Sequence, residues 1–257
     1  MPMLPAPKKR FGQHFLTDRH YVRRIVEAIA PRAGDSMVEI GPGTGILTDE
    51  LVGTVHPLHV VEIDRDLAAA LRARFTPGEV VVHEADALEF DLASLPAPLR
   101  VVGNLPYNVS TPILFHVAAH AGRIADCTFM LQKEVVERMV AEPGSAEYGR
   151  LSVMLQYRFE MALALRVPPG AFTPPPKVDS AVVRMRPLGD DRLRARDEDR
   201  FARLVAAAFA QRRKTLRNAA RALVDERAFA AAGIDPGRRG ETLAVGEFVR
   251  LADASIA

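Results

Sequence analysis

The stretch that most constrains this chain is Ser36-Met37-Val38-Glu39-Ile40-Gly41-Pro42-Gly43-Thr44-Gly45. Met37 to Ile40 is a short apolar run of the kind that forms a buried strand. Glycines then fall at alternate positions, and Ile46 to Leu51 reads as the start of a helix. A strand feeding a helix through a glycine-rich turn lets backbone come close to a ligand. The helix start adds free N–H groups and a partial positive charge. An ordinary tight turn is the plainer alternative.

The spacing narrows the ligand. The dinucleotide fingerprint G-x-G-x-x-G needs glycine at position 46, where this chain has Ile46. Glu39, two residues before the first glycine, does not suit an anionic pyrophosphate. E-x-G-x-G-x-G resembles motif I of the S-adenosylmethionine-dependent methyltransferases, whose ligand carries a sulfonium and an amino group.

Further strands end in polar residues. Leu58 to Ile63 reads as the second strand, and Glu62 lies 21 residues after Gly41. In nucleotide-binding α/β folds an acidic residue about 20 residues on accepts hydrogen bonds from ribose hydroxyls. A carboxylate has two oxygens for two hydroxyls. Asp64 is the alternative there, or else the N-cap of a helix from Arg65 to Phe75. Val80 to His83 is the third strand, with Asp86-Ala87 just past it. Asp86 suits the exocyclic amine of an adenine, with Ala87 leaving room for the ring; it equally suits a cap.

The most specific chemistry follows the fourth strand, Arg100 to Gly103, in Asn104-Leu105-Pro106-Tyr107. Adenine N6 is a poor nucleophile because its lone pair is delocalised into the ring. Methylating it needs acceptors for both N6 hydrogens and a flat surface for the base. Asn104 Oδ1 and the Leu105 carbonyl suit the first need. Pro106 stiffens the turn, and Tyr107 offers a stacking face. The pattern resembles the (N/D/S)-P-P-(Y/F/W) motif of amino-directed methyltransferases, with Leu in place of the first Pro. An Asn-Pro turn after a strand is the bland reading.

Elsewhere the signals are weaker. Phe11 to Leu16 reads as a loop, with Thr17 or Asp18 capping a helix whose apolar face is Tyr21, Val22, Ile25, Val26 and Ile29. Pro31 and Gly34 end that helix. Thr111-Pro112 starts another, with Pro at its first position. Cys127 to Leu131 is a fifth strand and Gln132 to Ala141 a helix. The apolar stretch from Tyr148 is read as helical. Phe172-Thr173-Pro174-Pro175-Pro176-Lys177-Val178-Asp179-Ser180 is a stiff loop ahead of a strand, Ala181 to Met185. Phe172 either stacks on the second face of a target base or fills core.

Beyond Pro187 the periodicity is helical only. Arg192 to Arg221 holds ten Lys/Arg against three Asp/Glu, a net of +7 in a chain whose whole net charge is +2. A charge run is usually a solvated face, but this asymmetry points to a phosphate backbone. Gln211-Arg212-Arg213-Lys214-Thr215-Leu216-Arg217-Asn218 is its densest part, read as a helix. Asp225 to Ala232 and Val245 to Ala254 read as packing helices.

Composition sets outer limits. At 257 residues, 48% hydrophobic and 26% charged, the chain is expected to form one large domain, alone or with a small appendage. It has no run of 18 apolar residues, so no membrane span is expected. The single cysteine, Cys127, excludes an internal disulfide and a Cys-based zinc site. The basic, Pro-rich start lacks the apolar core of a signal peptide. A cytoplasmic monomer is expected.

These motifs together resemble the ribosomal RNA adenine dimethyltransferase family, most closely its bacterial small-subunit members, through nearly the whole chain. The resemblance rests on residues 12–16, 39–45, Glu62, Asp86-Ala87, 104–107, 172–180 and 211–218. It implies a Rossmann-like S-adenosylmethionine-dependent methyltransferase domain over 1–187 and a small all-α, RNA-binding C-terminal domain over 188–257. It implies dimethylation at N6 of two adjacent adenosines near the 3′ end of 16S rRNA, in the immature 30S subunit. Cofactor contacts carry over to Gln13, His14, Leu16, Gly41, Gly43, Glu62, Asp86 and Asn104. Catalytic contacts carry over to Asn104, Leu105, Pro106, Tyr107 and Phe172, and RNA contacts to Arg212, Arg213, Lys214 and Arg217. The family usually has Asn where this chain has His14, which keeps a donor and an acceptor. The reaction expected is in-line displacement at an activated methyl, without metal. The alternatives are a large-subunit (23S) rRNA adenine methyltransferase of the macrolide-resistance kind, and a non-catalytic assembly factor.

Overall fold

The computed structural model describes residues 14–189, 192–211 and 213–256. Gln13 and Arg212 lie outside them. The described residues form two compact units, one of 14–136 and 161–187, the other of those within 137–160 and 188–256.

The first unit is built on a seven-stranded sheet. Its strands β2 (Ser36–Ile40), β3 (Leu58–Glu62), β4 (Val80–Glu84), β5 (Leu99–Asn104) and β6 (Ile124–Gln132) lie parallel in the order β4-β3-β2-β5-β6. These strands are near-continuous apolar runs, as expected where helices cover both faces. β9 (Ser180–Pro187) joins β6 antiparallel, and β7 (Phe159–Val167) forms the far edge. Strand order reverses between β2 and β5. A crevice for ligands opens at such a reversal, outside the carboxyl ends of the strands. Gly103 lets the two strands meet there, because a Cβ on it would collide with the Ile40 carbonyl oxygen.

The flanking helices are α1 (Arg19–Ile29), α2 (Ile46–Leu51), α3 (Arg65–Arg74), α4 (Ser110–Ala119) and α5 (Lys133–Met139). Asp18 caps α1 by accepting from His20 N at 2.8 Å, and Val22, Ile25 and Ile29 are buried beneath it. Pro112 is the third residue of α4, not its first. The loop expected over residues 11–16, of which 14–16 are described, ends in a short strand, β1 (Phe15–Leu16), paired antiparallel with β8 (Phe172–Thr173). Its backbone hydrogen bonds therefore go to the segment before the proline run.

β7 is the longest strand that sequence reading missed. Its apolar residues alternate from Phe159 to Val167, but Ala162 and Ala164 stand at the exposed positions between them. Alanine there hides the two-residue period that a polar residue would have shown.

The second unit packs Tyr148, Val153 and Tyr157 with Phe201, Leu204, Phe229 and Phe248. Its helices are α6 (Arg150–Gln156), α7 (Glu198–Ala210), α8 (Leu216–Ala219), α9 (Glu226–Ala232) and α10 (Val245–Ala254). The boundary expected at 187/188 is thus corrected: 137–160 packs with the C-terminal helices, because its large aromatics are buried among them. Tyr157 Oη donates to Glu198 at 2.9 Å and accepts from Ala195 N at 3.0 Å. The helix expected over 211–218 is also corrected. α7 ends at Ala210, Lys214 N turns back onto the Gln211 carbonyl, and α8 is a single turn. Among the described residues no helix is long and apolar enough to cross a membrane.

Candidate active site

A cavity opens at the carboxyl ends of β2, β3, β4 and β5. It is lined by His14 and Leu16, the turn after β2, Glu62, Asp86 and Ala87, and Asn104 to Tyr107. Residues as far apart in the chain as His14 and Met130 meet there, most of them at a strand tip or beside one.

The glycine turn forms one wall. Gly41, Gly43 and Gly45 have φ of +67°, +59° and +80°, the left-handed region that favours glycine. A Cβ on Gly43 would stand 3.2 Å from the Phe15 ring, and one on Gly45 would be 2.9 Å from Leu71. The turn is held by Gly41 N donating to the Val61 carbonyl and Gly45 N to the Pro42 carbonyl, each at 2.9 Å.

Two carboxyls stand behind it. Glu62 accepts from Gly43 N at 3.1 Å and Asp64 N at 2.9 Å, one oxygen to each. Each oxygen keeps acceptor capacity for a further donor. Burial pushes the Glu62 carboxyl up, and the two backbone N–H groups partly oppose this. Asp64 does cap α3, accepting from Asp66 N at 3.0 Å, so the two acidic residues divide the two predicted tasks between them. Glu39 is 1% exposed and accepts from Thr48 Oγ1 at 2.6 Å. Burial raises its carboxyl to about 7, with the Thr48 bond opposing and Glu62 and Asp49 adding to the rise. Two buried carboxyls on one cavity wall favour a cationic ligand over an anionic one.

Asp86 lines the cavity, and its Oδ1 accepts from Leu88 N at 2.9 Å. The capping role is therefore real, and the second oxygen remains for a ligand. Leu16 is 4% exposed and packs in the core beside the cavity mouth.

Beside the glycine turn lies the Asn104–Tyr107 loop; a Cβ on Gly41 would stand 3.6 Å from the Asn104 carbonyl oxygen. Asn104 Nδ2 donates to the His14 carbonyl at 3.3 Å, which leaves Oδ1 as the amide's acceptor. Leu105 N donates to the Met130 carbonyl at 3.0 Å and Val109 N to that of Pro106 at 3.2 Å, so the loop is tied at both ends. The Tyr107 ring stacks near His14, with centroids 5.7 Å apart and planes 26° apart. His14 Nδ1 is 2.8 Å from the Pro174 carbonyl and so carries the proton of that bond.

Phe172 is not brought to the cavity. It is 3% exposed, packs in the core with Leu16, and lies in β8, so the core-filling reading describes it. In the second unit Arg213, Lys214 and Arg217 are exposed, with Arg217 paired to Glu226 at 2.7 Å. Sequence reading gave no part to Thr48, Asn108 or Ile63. Thr48 braces Glu39, and the other two line the cavity.

A parallel sheet with its crevice at the β2/β5 reversal, closed by a glycine turn backed by buried carboxyls, is that of a Rossmann-like methyltransferase. Residues 6–256 match the family described as ribosomal RNA adenine dimethylase, and the chain belongs to that family. It is 61% identical to ribosomal RNA small subunit methyltransferase A of Aromatoleum aromaticum over 244 residues, covering 95% of this chain and 92% of that one. It is 59% identical to the protein of the same name from Laribacter hongkongensis, covering 96% of this chain and 95% of the other. A dimethyladenosine transferase from Plasmodium falciparum shares the fold at a TM-score of 0.79 and 24% identity, over 93% of this chain and 96% of that one. The 23S rRNA methyltransferase ErmE superposes at 0.72 with 28% identity, over 93% and 98% of the two chains.

Proposed function

We propose that this enzyme transfers methyl groups to N6 of two adjacent adenosines near the 3′ end of 16S rRNA, in the immature 30S subunit. It acts as a cytoplasmic monomer and uses S-adenosylmethionine. The observation that carries the reading is the meeting of Asn104–Tyr107 with Glu62 and the glycine turn in one cavity.

The residues present fit that cofactor. Gly41 and Gly43 leave two positions of the turn bare of side chains, Glu62 has acceptor capacity for ribose hydroxyls, and Asp86 has an oxygen for an adenine amine. A sulfonium or ammonium bound beside Glu39 and Glu62 favours their ionised forms, which favour the cation in return. When bound, S-adenosylmethionine supplies a methyl group already activated on sulfur, so no metal is called for.

The protein's part is positioning and charge placement. A target adenine leaves its stack at a cost of roughly a few kcal/mol. Tyr107 gives it a flat surface. Asn104 Oδ1 and the Leu105 carbonyl accept the two N6 hydrogens and turn the nitrogen lone pair out of the ring system. After the first methylation one N6 hydrogen remains, and the same acceptors hold it. Arg213, Lys214 and Arg217, with Arg212, contact rRNA phosphates.

The small-subunit substrate is favoured over the large by the 61% and 59% relatives against 28% for ErmE. The test uses labelled cofactor with unmethylated 30S particles, 50S particles and duplex DNA, reading nucleosides by mass spectrometry. Dimethyladenosine in the 30S sample alone supports the reading. Label in the 50S sample moves the enzyme to the large subunit, and cofactor binding without any transfer makes it an assembly factor.

A further inference from the structure

Ser180 is fully buried at the first position of β9, opposite Gln132 of β6. It closes the proline-rich loop, and the backbone just before it is fixed, because the Asp179 carbonyl accepts from Lys133 N at 2.9 Å. Its hydroxyl lies 2.5 Å from Tyr107 Oη. Tyr107 is half-buried and sits on the loop that carries Asn104. A loop side chain used as a platform needs its ring held in one place. Two contacts do this. The hydroxyl bond fixes the far end of the ring's long axis, and the His14 stack restricts rotation about that axis. His14 is anchored in turn on the Pro174 carbonyl, at the other end of the same proline-rich loop. The loop therefore reaches Tyr107 from two sides, 73 residues away in sequence.

We propose that Ser180 is a positioning residue for methyl transfer, acting through Tyr107 by fixing the tilt of the surface on which the target adenine rests. This rests on the function proposed above. The second transfer depends on it more than the first. The monomethylated amine has one hydrogen left for Asn104 and Leu105, so more of its alignment comes from the base plane. Misplacement of a reacting group by about 1 Å costs up to 100-fold in rate.

The variants are Ser180→Ala, Tyr107→Phe and the pair together, assayed on unmethylated 30S particles. Each single change is expected to lower kcat about ten-fold, to lower the ratio of dimethyl to monomethyl product, and to leave cofactor affinity unchanged. The pair is expected to be no worse than the worse single change. It is also expected to unfold at the wild-type temperature, because no buried hydroxyl is left unpaired, while its product ratio stays low. A purely structural bond predicts otherwise: the pair would recover activity along with stability. In protein labelled at tyrosine 13Cζ, Ser180→Ala is expected to shift the one signal that Tyr107→Phe removes.

Wild-type kcat and product ratio in Ser180→Ala overturn the proposal. So do additive losses in the pair, its recovery of both activity and stability, or an unmoved Tyr107 signal. Absence of transfer by the wild-type enzyme overturns instead the reading on which the proposal rests.

Discussion

At the amino ends of β5 and β6, Arg100 is enclosed by Asp35, Asp126 and the carbonyls of Ile29 and Ala30. At the carboxyl ends of β2 and β3, Glu39 and Glu62 are buried with a hydroxyl and backbone N–H groups as their described partners. The guanidinium makes a bidentate pair with Asp126, at 2.9 and 3.0 Å, and reaches Asp35 at 2.5 Å. Those hydrogen bonds and charges outweigh the cost of its burial and raise it above its ordinary value. The two glutamates move the opposite way for a carboxyl, toward the neutral form, because burial dominates. Charge is closed off at the amino ends, whereas no described cation pairs with the two buried carboxyls at the carboxyl ends, where the cofactor is proposed to bind. On that proposal the same sheet separates stability from function along its strand direction.

Arg100→Met tests the closed end. It leaves two partly buried aspartates facing carbonyl oxygens, and breaking such a pair from one side costs about 3 kcal/mol. Cofactor affinity of the folded protein is expected to stay within two-fold of wild type, by roughly 0.4 kcal/mol or less. Denaturant unfolding and calorimetry check the two halves. A large loss of cofactor binding without loss of stability would break the comparison.

Glu39→Gln tests the open end. The folded carboxyl titrates at about 7 against 4.5 for the unfolded chain. Between those values the folded state holds a proton that the unfolded state has released. Stability from this group is therefore highest below pH 4.5, falls as pH rises to about 7, and is flat above. The total is about 3 kcal/mol. The glutamine variant of the ligand-free protein is expected to lack this slope and to exceed wild type in stability at pH 8. Parallel pH profiles for the two proteins would show that Glu39 is not the group responsible.

Glu62→Gln removes a charged acceptor from the N–H groups of Gly43 and Asp64 and from the ribose hydroxyls it is proposed to hold. Cofactor affinity is expected to fall about ten-fold, the size of one charge-assisted hydrogen bond, with little change in unfolding temperature. Arg213→Glu with Lys214→Glu lies in the second unit and leaves both sheet ends intact. Binding to 30S particles is expected to weaken about five-fold at 0.1 M salt, with a shallower salt dependence. An unchanged salt slope would remove the basic turn from the RNA interface.

Much of the open end was legible in sequence because it is local. The glycine turn, Glu62 and Asn104 each sit within a residue or two of a strand end, and strand ends are marked by the change from apolar run to polar residue. Asp18 and Asp64 were legible as candidate helix caps, and both do cap, whereas Asp225, read as the first residue of its helix, is its N-cap. What depends on distant packing was not. Phe172 has the right residue type for a stacking partner, yet its pairing with β1 turns it into core. β7 was hidden by alanines at its exposed positions. The break after Ala210 carries neither glycine nor proline, so good helix formers disguised the turn. The Tyr107–Ser180 bond joins segments whose approach is set by the β6–β9 pairing.

The measurement closest to the central claim is single-turnover methyl transfer by Asn104→Ala on unmethylated 30S particles, with cofactor affinity titrated on the same protein. The account predicts transfer slowed by on the order of 100-fold or more while cofactor affinity weakens only about three-fold, less than 1 kcal/mol. Wild-type turnover in that variant would contradict the role of the β5 tip. Loss of cofactor binding equal to the loss of rate would place Asn104 with Glu62 as part of the cofactor wall instead.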